Sequence, residues 1–219
     1  MDELSPEARL IGAVNTIQLQ DGRLYGHNTD GIGFLTALNE AGSVVAGQTV
    51  MLLGAGGAAR AIAVQLCLSG IRRLLLANRT PTRAEDLAAF LKQNIPHTDI
   101  SVIATGESSL AALLPDTDIV VNATSIGMLP QDPLLLPSTA LSPRHLVCDI
   151  VYRPLQTPLL RAAQRQGART VDGLGMLLHQ GAKAFAIWTA RVFPLALIRA
   201  RLLATVTEQA ATWTPPQKE

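Results

Sequence analysis

Glycine at three of four positions between an apolar run and a helical one can bring the backbone against a phosphate. In Val50-Met-Leu-Leu-Gly-Ala-Gly-Gly-Ala-Ala-Arg60, Val50 to Leu53 read as a buried strand and Ala58 to Leu68 as a helix. A strand that enters a helix through Gly54, Ala55, Gly56, Gly57 and Ala58 exposes unpaired N–H groups at the positive end of that helix, where a pyrophosphate is favoured. The pattern is Gly-x-Gly-Gly-x-Ala rather than Gly-x-Gly-x-x-Gly, and the same glycines could serve close packing alone.

The next apolar run, Leu74 to Ala77, ends in Asn78-Arg79-Thr80-Pro81-Thr82-Arg83. In a dinucleotide site this is where the adenosine ribose is read: an acid there selects NAD, and an arginine accommodates the extra phosphate of NADP. No acid is present, and Arg79 and Arg83 are. A charge-assisted hydrogen bond to phosphate contributes on the order of 1.5–3 kcal/mol, so one guanidinium can decide between the cofactors. The bland alternative is two solvated arginines at a helix start, although cations are mildly unfavourable there.

A carboxylate stands earlier, in His27-Asn-Thr-Asp-Gly-Ile-Gly-Phe34. Thr29 or Asp30 is expected to cap a helix running to about Ala41, with the helix end keeping Asp30 ionised. Asp30 can accept and deliver protons only where a substrate hydroxyl reaches it, and capping alone would also explain it. His27, His97, His145 and His179 are scattered and read as surface or core-edge residues. No metal-ligand spacing is present.

These groups need a scaffold that brings loops together. Ser5-Pro6-Glu7 signals a helix start, so Met1 to Leu10 reads as a short helix or an unanchored terminus. Asp21-Gly22 reads as a hairpin turn between Gly12–Ile17 and Gly22–Gly26. Further strands are expected at 100–104, 119–121, 146–151 and 169–171, with helices at 83–91, 110–114 and 158–166. Apolar strands alternating with helices indicate a doubly wound α/β fold with a parallel sheet, whose ligands bind beyond the strand C-termini. Gly54, Asn78, Asn122 and Ile150 should therefore converge on one cleft. From Gly173 a helix places Leu174, Leu177, Leu178, Gly181, Phe185 and Trp188 on one face, and a second helix spans 194–206. Trp213 to Glu219 reads as a loose tail.

Composition narrows the partners. The 219 residues carry a formal net charge of +1, which gives no footprint for nucleic acid or an anionic membrane. No apolar run approaches the roughly 20 residues of a membrane span, and Met1-Asp-Glu lacks the basic start of a signal peptide. Cys67 and Cys148 lie in apolar surroundings and read as reduced core thiols of a cytoplasmic protein.

Seven ordered motifs carry a resemblance. Gly12-Ala-Val-Asn-Thr, Asn28-Thr-Asp-Gly, Gly54-Ala-Gly-Gly-Ala-Ala-Arg, Asn78-Arg-Thr, Asn122-Ala-Thr-Ser-x-Gly-Met, Asp172-Gly-Leu-Gly-Met-Leu and Gln180-Gly-Ala-x-x-Phe resemble the shikimate dehydrogenases, including the quinate/shikimate branch. The similarity runs from about Gly12 to Leu203. It implies a Rossmann-type NADP-binding domain and reversible, NADP-dependent reduction of 3-dehydroshikimate to shikimate, by a monomer or homodimer. Asn15 and Asp30 match residues that hold substrate hydroxyls, with Asp30 catalytic beside a lysine; Tyr152 and Gln180 also match the substrate site. Ile150 and Gly173 match positions beside the nicotinamide. Gly54 to Ala58, Asn78, Arg79, Thr80 and Arg83 match the cofactor loops.

The physical roles suit these residues, because a hydride transfer that makes an alkoxide needs a proton donor and a polyhydroxylated ring needs polar partners. Bland alternatives remain: Asn15 satisfying a hairpin backbone, Gln180 exposed on a helix. The expected organisation is a remnant of a substrate domain at 1–45, a nucleotide domain at 46–172, two helices at 173–210 and a tail at 211–219. Family members carry a longer substrate domain, with the catalytic lysine, before the segment matching Gly12. Here the lysines are Lys92, Lys183 and Lys218, and none matches it. Two alternatives therefore stand beside the enzyme: a non-catalytic NADP-binding module or half of a split enzyme, and a quinate/shikimate dehydrogenase that also uses NAD.

Overall fold

Strands buried on both faces have no polar face to alternate with, and this is why the apolar runs are continuous. The computed structural model describes residues 1–129 and 131–210, the last four of these for backbone only. The expected 211–219 tail lies outside the described residues. Six parallel strands form the main sheet: β4 (Thr49–Leu53), β5 (Arg73–Ala77), β6 (Asp99–Ile103), β7 (Ile119–Asn122), β8 (Leu146–Asp149) and β9 (Arg169–Val171). Their order is β6-β5-β4-β7-β8-β9, the doubly wound arrangement in which the chain reverses direction across the sheet beside β4. Along β4, Val50 and Leu52 enter one core while Met51 and Leu53 enter the other.

Helices cover both faces. α3 (Gly57–Leu68) and α4 (Pro81–Asn94) pack on the first core with α2 (Asp30–Glu40), and α5 (Glu107–Leu113) and α6 (Pro158–Arg165) on the second. The expected helix at Ser5-Pro6 is α1 (Pro6–Ile11), with Ser5 Oγ accepting from Ala8 N–H. The two residues before it form β1 (Glu3–Leu4), which sequence patterning did not show. β1 pairs in parallel with β3 (Arg23–His27), and β3 pairs antiparallel with β2 (Thr16–Gln20) through the Asp21-Gly22 turn. Both turn residues have positive φ, 50° and 76°, as a two-residue hairpin requires.

α7 (Gly173–Thr189) and α8 (Leu195–Ala210) close the chain. Two expectations for the second half need correction. Trp188 is 58 % exposed rather than part of the buried stripe; its Nε1 donates to Ile17 O at 2.8 Å, while Met176 and Ala184 fill the packed face. His145 is buried rather than at the core edge: its Nδ1 accepts from Ser142 N–H and its Nε2 donates to Leu114 O, both at 3.0 Å. Glu40, at the end of α2, bonds Arg199 of α8 and His179 of α7, and these hydrogen bonds, that of Arg199 first, hold its carboxyl below the usual range. Both cysteines are buried, and burial pushes both thiols up, Cys67 to about 11. No helix among the described residues is long and apolar enough to cross a membrane.

One polar network lies inside this fold. Asp149, at the end of β8 and 2 % exposed, accepts from Asn122 Nδ2 (2.9 Å), Val151 N–H (3.0 Å) and Thr157 Oγ1 (2.7 Å). Burial outweighs these bonds and raises its carboxyl to about 6 from 3.8. Between those values the folded protein holds a proton that the unfolded chain has released, so this group's contribution to stability falls as pH rises. Urea unfolding across roughly pH 4 to 7 should show wild-type stability falling by about 2–3 kcal/mol relative to Asp149→Asn, then levelling. A difference independent of pH would refute the assignment.

Candidate functional site

At the C-terminal ends of β4, β5 and β7 a cleft of about 360 Å³ opens between the turn after each strand. Gly54, Asn78, Arg79, Thr124, Ser125 and Ile126 line it, so three of the four strand ends expected to converge contribute to one cavity. Asn122 itself is fully buried and acts beneath the wall: its Oδ1 accepts from Thr124 N–H (3.0 Å) and Thr124 Oγ1 (2.7 Å), and its Nδ2 donates to Ile126 O (2.9 Å).

The three glycines separate into two kinds. Gly54 has φ +117°, and a Cβ there would lie 2.7 Å from Ala123 O, so the fold itself demands glycine. Gly56 has an ordinary φ of −83° and Gly57 is helical, yet a Cβ on either meets no atom within 4 Å. Neither strain nor packing requires glycine at 56 or 57. What their small size provides is open space above the first turn of α3, whose N–H groups receive no side-chain cap. Ala55 and Ala58 flank this space, half-buried.

Around the next turn, Asn78 Nδ2 donates to Thr80 O (2.8 Å) and fixes the bend into α4. Arg79 lines the cleft; Arg83 is exposed in the first turn of α4, outside the lining. Neither guanidinium is matched to a carboxylate among the described residues. Open space at the first turn of α3, its N–H groups without a side-chain cap, and an arginine without a carboxylate partner among the described residues together fit a dinucleotide phosphate.

A second polar cluster forms where α2 starts. Asn15 Nδ2 donates to Asp30 Oδ1 (2.8 Å), and Asn15 Oδ1 accepts from Thr29 N–H (3.0 Å) and Thr16 Oγ1 (2.9 Å). The Thr29 hydroxyl lies 3.3 Å from both Asn15 Oδ1 and Gln180 Oε1, which brings Gln180 of α7 to the same place. Two expectations fail here. Neither Thr29 nor Asp30 caps α2 with its side chain; Asn28 Oδ1 accepts the Asp30 N–H instead (3.1 Å). The Asp30 carboxyl is also not held down by the helix end: burial raises it, with the Asn15 bond only partly opposing.

Glycines set the position of this cluster. A Cβ on Gly31 would fall 2.7 Å from Ala61 O of α3, and one on Gly33 would fall 2.7 Å from the Gln180 nitrogen of α7. α2 is thus wedged between the cofactor-side helix and the helix that carries Gln180. Sequence reasoning named Gly31 in a motif without seeing this cause. Gly173 works the same way, since its Cβ would clash with Ile150 O at 2.3 Å, so these two positions do lie together. Tyr152 sits in the loop after β8, 46 % exposed, and none of the hydrogen bonds of the Asn15–Asp30–Gln180 cluster reaches it.

Comparison with known proteins bears on this arrangement. Residues 36–129 match the shikimate/quinate 5-dehydrogenase family, and 173–203 match the shikimate 5'-dehydrogenase C-terminal domain. The NADP(+) shikimate dehydrogenase of Desulforamulus reducens is 46 % identical over 202 residues, 91 % of this chain and 69 % of that protein. This chain belongs to the shikimate dehydrogenase family. The shikimate dehydrogenase (NADP(+)) of Symbiobacterium thermophilum is 46 % identical over 211 residues, 95 % of this chain and 72 % of its own length. Among solved structures, shikimate 5-dehydrogenase of Listeria monocytogenes, in complex with shikimate and NAD, superposes with a TM-score of 0.87 at 40 % identity, covering 92 % of this chain and 72 % of that one.

The glycine contacts make an internal comparison possible. Gly33→Ala should destabilise the protein by roughly 1–3 kcal/mol, because backbone of α7 must move. Gly181→Ala, on α7 with nothing within 4 Å of its Cβ, should be neutral or stabilising by up to about 1 kcal/mol. Chemical denaturation of both variants checks the pair, and equal effects would contradict the close approach.

Proposed function

We propose that this chain acts as an NADP-dependent shikimate dehydrogenase, reducing 3-dehydroshikimate reversibly to shikimate. The observation that carries the reading is the wedge of α2, which sets a hydroxyl-binding cluster against the helix whose first turn stands open beside Arg79. Gly56, Gly57 and Arg79 would hold the cofactor phosphates, with Arg83 reaching from α4; when bound, the cofactor donates or accepts hydride. Asn15 and Gln180 orient ring hydroxyls, each offering both a donor and an acceptor. Asp30 would face the oxygen that changes from carbonyl to hydroxyl. Burial makes its carboxyl take up a proton more readily than an exposed aspartate, so it can deliver one to an alkoxide and recover it in the reverse direction. We place the nucleotide domain at 46–172 and the substrate-side elements before and after it, in a cytoplasmic protein.

A second reading has its own observation. Asn15 is the only side chain that bonds the Asp30 carboxylate among the described residues, and Lys183 is exposed on α7. An acid/base partner is worth roughly 10²–10⁴ in rate. A chain that binds NADP without turnover, or that needs a second polypeptide, would fit that geometry.

Two measurements separate these. Shikimate oxidation followed through NADPH absorbance should show turnover; cofactor binding without turnover favours the second reading, and absence of both defeats the two. Arg79→Ala should weaken NADP by about tenfold to a hundredfold while leaving NAD nearly unchanged. Gly57→Ala should keep or raise stability yet weaken both cofactors. Equal loss of NADP and NAD on replacing Arg79 would contradict its role at the extra phosphate.

A further inference from the structure

Asp149 belongs to none of the recognised site positions, yet three chain segments converge on its carboxylate. Oδ1 accepts from Asn122 at the end of β7 and from Val151 N–H; Oδ2 accepts from Thr157, whose Oγ1 also accepts from Leu160 N–H (3.2 Å) and so starts α6. Through Asn122 the carboxylate holds Thr124 and Ile126, which form a wall of the cofactor cleft. Through Val151 it holds the segment from Ile150 to Tyr152.

A carboxylate accepts at several lone pairs and donates nothing, so it alone among side chains of this length satisfies three donors at once. Placing it here is costly, since burying a carboxyl without a countercharge disfavours its ionised form, and the raised pKa reflects that cost. An apolar side chain would fill the same volume without the cost but would leave the three donors unpaired and the two loops unlinked.

We propose that Asp149 is a positioning residue that sets the spacing between the Thr124–Ile126 wall of the cofactor cleft and the Ile150–Tyr152 segment. The proposal rests on the shikimate dehydrogenase reading. It acts by geometry: the carboxylate is buried outside the cleft lining and ties the two segments to each other.

The test compares Asp149→Asn, Thr157→Val, Thr157→Ser and a control, Leu141→Ala, which truncates the core on the same face of the sheet. Tm and the dissociation constants for NADP and shikimate are measured at a temperature well below every Tm. Asp149→Asn and Thr157→Val should raise both constants about tenfold, the loss expected for one buried hydrogen bond. Thr157→Ser, which keeps the hydroxyl, should restore them, and Leu141→Ala should lower Tm with both constants unmoved. A fall in Tm without any change in affinity for the Asp149 and Thr157 variants would show a role confined to stability and overturn the proposal. Wild-type protein that binds neither ligand would overturn the parent reading and this one together; wild-type that binds, with variants that bind equally, overturns this one alone. Should wild-type bind NADP only, the NADP constant decides.

Discussion

One short helix, α2, meets a neighbouring helix on each side at a glycine, backbone against backbone. Gly31 and Gly33 let α2 lie against α3 on one side and α7 on the other, nearer than any side chain would allow. Because interiors are packed at crystal-like density, such a contact is a rigid constraint rather than a loose association. It fixes the first turn of α2, and with it Asp30, relative to the turn at Gly56 and Gly57. It also brings Gln180 from the far end of the sequence to Thr29. The spatial relation between the two halves of the site therefore follows from two missing methyl groups.

Electrostatics follows from that packing. Asp30 begins a helix, where the dipole should favour its charge, but the same contacts that position it also remove water from it, and the loss of hydration wins. Asp149 repeats the balance more strongly, with three donors insufficient to offset burial. At Glu40, largely exposed, the order reverses and the hydrogen bonds from Arg199 and His179 dominate. Burial, rather than the number of partners, decides the direction in each case.

Much of the scaffold was legible locally. The inner strands β4, β5, β7 and β8 announce themselves because both faces are buried, the hairpin because Asp21-Gly22 accepts positive φ, and α6 because Pro158 stands where a helix can start on proline. The cofactor turn was legible too, although its glycines looked alike in sequence and only the fold separates Gly54, which packing requires, from Gly56 and Gly57, which leave room. What stayed hidden depends on partners distant in the chain. Asn122 and Asp149 are 27 residues apart, and Thr29 and Gln180 are 151 apart. Local pattern carries no information about such pairs, nor about how far burial moves a carboxyl.

The two thiols have a practical meaning in this light. Cys148 lies on β8, between β7 and the edge strand β9, and Cys67 near the end of α3, and both are shielded from solvent in their un-ionised form, the less nucleophilic one. An alkylating reagent can reach the first only when β8 parts from its neighbours, and the second when the end of one helix frays. The folded chain thus carries two buried thiols, one behind the sheet edge and one at a helix end, whose exposure can be read by mass without any label being engineered into it.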